Sequence, residues 1–236
     1  KVIGAAAVPA LLAALEGHDV HTGATLVMAL ARIGSPAVEL LVDALADDSN
    51  MREVAVCALE QIGVPAVEPL VRVLLHDARA DVRKRALAVL KRMGDSRSVR
   101  LLAQAATQGG DPDTSLSAIR SLGELAQPEA LQPLVSLLEN GGEVTLRRAA
   151  LTSLGLLRDA QAVPSLLAAL RDPSLRETAV DALTGFGELA VEPLIRQLHA
   201  PDAGADLRQA AWDALEKIGA RASADGGRLL ALAATY

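Results

Sequence analysis

The stretch Asp81-Val-Arg-Lys-Arg-Ala-Leu-Ala-Val-Leu-Lys-Arg-Met-Gly94 decides the fold, because it returns six more times in altered form. Its closing position recurs at Gly34, Gly63, Gly94, Ala126, Arg158, Gly187 and Gly219, at intervals of 29, 31, 32, 32, 29 and 32 residues. Four residues before each closing position stands a leucine: Leu30, Leu59, Leu90, Leu122, Leu154, Leu183 and Leu215. Apolar residues flank it three positions to either side, from Val27 and Ile33 in the first copy to Trp212 and Ile218 in the last. That spacing puts all three series on one stripe of a helix. A small residue precedes the leucine in six copies (Ala29, Ala58, Ser121, Ser153, Ala182, Ala214), with Val89 as the exception, so neighbouring helices can approach closely. Thirteen residues before the closing position, Asn50, Asp81, Asp113, Thr145, Ser174 and Asp206 are suited to cap the helix, and His21 is the odd member.

Ahead of each such helix runs another with its own stripe, as in Val38, Leu41 and Leu45 or Val163, Leu166 and Leu170. Proline recurs near its first turn, at Pro9, Pro69, Pro133, Pro164 and Pro193, where a missing N–H costs least. Arg83-x-x-Ala86, Leu90 and Gly94, with Val67-x-Pro69-Leu70, resemble the short HEAT-like repeats of the phycobilisome-lyase type. The resemblance runs from Gly4 to Gly219 and implies an all-α fold, an α-solenoid of about seven helical hairpins. The repeats fall at about 5–34, 35–63, 64–94, 95–126, 127–158, 159–187 and 188–219, with 220–236 a degenerate terminal helix or cap. Lys1 to Gly4 reads as the tail of an earlier second helix, so a fragment of a longer array is expected.

Composition agrees with helix-on-helix packing. Half the chain is apolar, yet Phe186, Trp212 and Tyr236 are its only aromatics, so Leu, Val, Ile and Ala must fill the interior. Phe186 and Trp212 occupy stripe positions and are expected in the core. Cys57 is the sole cysteine, which excludes an internal disulfide, and no apolar run reaches membrane-spanning length. A cytoplasmic protein without membrane contact is the default expectation.

The net charge of −6 opposes general coating of nucleic acid. Charge is nevertheless uneven. Between Arg79 and Arg100 eight basic residues face two acidic ones, a local +6 that leaves −12 for the rest. Lys84, Arg85, Lys91 and Arg92 lie off the apolar stripe, and Arg120 extends the set into the next repeat. In arrays of the resembling kind second helices line the concave face, which implies that this cluster lies in a groove and takes an acidic peptide or a phosphate. By register, Glu53 and Glu60 stand beside Lys84 and Lys91, Glu124 beside Arg92, and Arg85 has no counterpart. The arginines Arg52, Arg83, Arg147, Arg176 and Arg208 read as structural, pairing with aspartates of neighbouring repeats.

No catalytic or metal-binding set emerges, and no cofactor is expected. The HEAT-like deoxyhypusine hydroxylases bind iron through repeated His-Glu dipeptides; here His18-Asp19 and His76-Asp77 are the nearest, at different offsets in their repeats. Cys57 has no histidine at matching depth, and Gly109-Gly110 and Gly141-Gly142 read as turns. The expected function is a scaffold or adaptor that binds a protein or peptide along the concave face. Nucleic-acid or phosphate binding through the repeat-three cluster, and a subunit of a lyase-like enzyme, are the alternatives.

Overall fold

The computed structural model describes residues 7–11, 20–47, 50–108, 112–140, 142–201 and 203–221. The chain divides into two compact units, Lys1–Gln104 and Ala105–Tyr236. The first contains α1 (Val20–Ile33), α2 (Val38–Ala44), α3 (Asn50–Ile62), α4 (Val67–His76) and α5 (Ala80–Met93); α6 (Ser96–Gln108) crosses the boundary. The second contains α7 (Pro112–Leu125), α8 (Leu131–Glu139), α9 (Val144–Leu157), α10 (Val163–Ala169), α11 (Arg176–Phe186), α12 (Glu188–Leu198) and α13 (Ala205–Arg221). Within the first unit the second helices of successive hairpins, α1, α3 and α5, pack in sequence, with α2 against α4 beside them. Within the second unit α7, α9, α11 and α13 form the same kind of layer, and α8, α10 and α12 form the other. This is an all-α solenoid architecture. No described helix is long and apolar enough by itself to cross a membrane.

The repeated leucines are the core. All seven, from Leu30 to Leu215, are at most 2% exposed. The flanking series are less uniform: Ile119, Leu151 and Phe186 are buried, whereas Val56, Leu87 and Trp212 are half-buried. Trp212 is therefore a correction to its expected core place. It lies on α13, and an indole is large enough that it is rarely covered completely.

Five of the seven closing residues fall into two conformational classes, and the sequence respects the difference. Gly34, Gly63 and Gly187 combine φ of 58° to 72° with ψ of −130° to −138°, a region that a Cβ makes costly. At Gly34 the chain turns through 112° between residues 24–33 and 35–44, and at Gly63 by 118° between its flanking helices. Gly94 and Arg158 instead take the left-handed helical conformation, with ψ of 24° and 29°, which side chains tolerate. Gly63→Ala is expected to cost about 1–3 kcal/mol, more than Gly94→Ala, by urea unfolding. Nothing lies within 4 Å of the added Cβ at either site, so the difference reads backbone strain alone. At the seventh position α13 simply runs through Gly219 to Arg221.

The expected caps need correction. Helices begin at Ala80, Pro112, Val144 and Ala205, which places Asp81, Asp113, Thr145 and Asp206 inside the first turn. Asn50 is the first residue of α3, His21 lies within α1, and Ser174 lies in the turn before α11. Before α5 and α11 an earlier aspartate folds the entry. Asp77 accepts the Arg79 amide at 2.9 Å and its guanidinium at 2.9 Å and 3.1 Å, so the chain is helical by Ala80. Those bonds hold the Asp77 carboxyl down at about 2. Asp172 folds the approach to α11, accepting the Ser174 amide at 2.9 Å and hydroxyl at 2.7 Å, but there the helix starts after the expected cap, at Arg176.

Candidate functional site

At the start of the second helices, arginines engage the neighbouring main chain. Arg83 donates to the carbonyls of Asp77 and Ala78, at 2.7 Å and 3.1 Å. Arg147 donates to Leu138 O at 3.1 Å and to Asp172 of the next hairpin at 2.9 Å. Arg176 repeats the arrangement with Leu170 O at 3.1 Å and Asp206 at 3.5 Å. In each case a planar cation closes the hairpin by meeting the unsatisfied carbonyls at the end of its first helix, where the helix dipole is negative. In α9 and α11 the remaining donors tie adjacent hairpins together, as the sequence reading of these arginines expects.

The basic cluster of α5 is divided by the same chemistry. Arg85 is only 21% exposed: it donates to Leu45 O at 2.6 Å and Asp47 O at 3.4 Å, and lies 3.3 Å from Asp81. It has partners, contrary to expectation, because it reaches past α3 to the carbonyl end of α2. Register compares one second helix with the next, whereas backbone carbonyls leave no mark on the sequence. Arg92, not Lys91, pairs with Glu60, at 2.7 Å. Lys84 and Lys91 are exposed, seven residues and about two turns apart on α5. Neither makes an ion pair with a described residue, so the anticipated pairings with Glu53 and Glu60 do not form. Arg120 is exposed on α7, in the second unit.

Other singled-out groups do not assemble. His76 and His199 are exposed on separate elements and Cys57 is half-buried; His18, the His21 side chain, Gly109-Gly110 and Gly141 lie outside the described residues. Among the described residues no three His, Cys, Asp or Glu side chains converge as metal ligands would.

The sequence profile described as HEAT repeats matches residues 47–114 and 100–176, more than half of the chain. The chain belongs to the HEAT-repeat family. No match was found among curated protein sequences. Among solved structures this HEAT array is similar to human deoxyhypusine hydroxylase, at 22% identity over 92% of this chain and 97% of that one, with a TM-score of 0.37. It is also similar to the CpcE–CpcF complex of phycocyanin lyase from Nostoc sp. PCC7120, at 23% identity over 80% and 79%, with a TM-score of 0.42.

Proposed function

We propose that this HEAT array is a scaffold that holds a protein or peptide, and that an acidic segment of the partner meets the exposed side of α5. The observation that carries this reading is the division of the basic cluster. Arg85 is committed to backbone carbonyls and Arg92 forms an ion pair with Glu60, while Lys84 and Lys91 project without partners among the described residues. The two exposed ammonium groups, with the Arg92 guanidinium beside Glu60, give the exposed side of α5 a positive stripe. The stripe suits carboxylates spaced along a peptide and steers their approach. Arg120 on α7 is a further proposed contact, in the second unit.

Affinity capture from the source cell tests the reading with the native chain beside a Lys84→Glu, Lys91→Glu variant. Both changes are on exposed side chains, so the fold is expected to be unaffected, as circular dichroism checks. A partner captured by the native chain and lost on reversal supports the proposal. A partner held equally by both, or none held by either, contradicts it. Arg85 is unsuitable for this test, since its reversal would also break the tie to α2.

A further inference from the structure

The second-helix layer of the second unit opens into a groove of about 610 Å³ between α11 and α13. Its cause lies in the sequence. α13 begins at Ala205, whereas the residues at the same register one repeat earlier, Pro173 to Leu175, form a turn, and α11 begins only at Arg176. Asp172 fixes that turn: its carboxylate holds Ser174 and its carbonyl accepts the amides of Leu175 and Arg176. α11 thus lacks the turn that would face the start of α13.

The groove has an apolar floor and an acidic rim. Val180 and Ala210, both buried, line its base. Glu177, Asp206, Asp213 and Glu216 line it together with the two cations Arg176 and Lys217. Both cations are engaged: Arg176 on Leu170 O and Asp206, Lys217 on Asp181 at 2.7 Å. Asp213 accepts a bond from the Gln209 amide at 2.7 Å, which leaves its charge intact. Glu177, Asp213 and Glu216 pair with no cation among the described residues. The carboxylates do not converge as metal ligands do. Asp206, Asp213 and Glu216 are instead spread along α13, roughly 15 Å from first to last at 1.5 Å per residue, and Glu177 stands on α11. An extended peptide of about five residues spans that length.

We propose that this groove docks a basic segment of a partner protein, its Lys or Arg side chains meeting Glu177, Asp213 and Glu216 and its apolar side chains covering Val180 and Ala210. Spaced carboxylates match spaced cations, and the apolar floor supplies contact that a freely hydrated salt bridge lacks. The site shares no residue with the α5 stripe, so either proposal can fail without the other.

A fluorescence-anisotropy titration of the full chain tests it, using a fluorescein-labelled seven-residue peptide that alternates Lys and Val and its Glu–Val counterpart. The Lys peptide is expected to bind and the Glu peptide not to. Glu177→Lys with Glu216→Lys should weaken binding by about tenfold or more, while Lys84→Glu with Lys91→Glu should not weaken it. Should the double reversal perturb folding, Glu216→Gln at its exposed position is expected to weaken binding about threefold. Equal binding of both peptides, absence of Lys-peptide binding, or an affinity indifferent to these changes overturns the proposal. Sedimentation of the chain alone provides a further arm. A dimer that the Glu177 and Glu216 changes split would assign the groove to a second copy and overturn it equally.

Discussion

Leu154→Ala is expected to lower the unfolding free energy by about 2–5 kcal/mol, seen as a drop in the urea midpoint. Leu154 is wholly buried on α9, which packs against α7, α8 and α11. Close-packed surroundings relax only partly, and the cost then exceeds simple transfer of the missing carbons. Leu156, two residues on, supplies the control. It is 54% exposed, and its replacement by alanine should cost less than about 1 kcal/mol. Equal losses at the two positions would mean that the register assigned to the repeat is wrong.

Gly123→Ala is expected to destabilise the protein by about 1–3 kcal/mol, although alanine favours an isolated helix by about 1 kcal/mol. Packing decides the sign. A Cβ at Gly123 would lie 2.6 Å from the Ser153 Cβ and 2.7 Å from its Cα, so backbone as well as side chain must shift. The neighbourhood resists such a shift. Ser153 is buried, and its hydroxyl donates to Ile119 O on α7 at 2.9 Å, tying the two helices at their closest approach. Ser153→Gly in the Gly123→Ala background should recover part of the loss, in a double-mutant cycle followed by thermal unfolding. A stabilised Gly123→Ala protein would show that α7 and α9 are not in such intimate contact.

The architecture was legible because its signal is redundant. Leu30 to Leu215 repeat one position seven times, and every copy is buried. The small residues ahead of those leucines announced close helix contact, and Ser153 realises it. What the sequence concealed were interactions with the main chain. Arg85 was read as unpartnered because its partners are the carbonyls of Leu45 and Asp47, which no side-chain register displays. Asp77 and Asp172 stand outside the aligned cap position, yet they set where α5 and α11 start. The α11–α13 groove is hidden in the sequence for a similar reason. Its cause is one missing helical turn at Pro173 to Leu175, although Asp206, Asp213 and Glu216 already showed helical spacing. Of the basic cluster, the exposure of Lys84 and Lys91 was legible from their place off the apolar stripe, while their lack of acidic partners and the engagement of Arg85 were not.

The most direct test of a scaffold that recognises through its second helices is hydrogen–deuterium exchange of the chain with and without its captured partner. Bound partner should slow exchange in peptides covering α5, residues 80–93, and leave α4, residues 67–76, unchanged. Protection confined to first helices, or no change anywhere in the chain, would contradict the account.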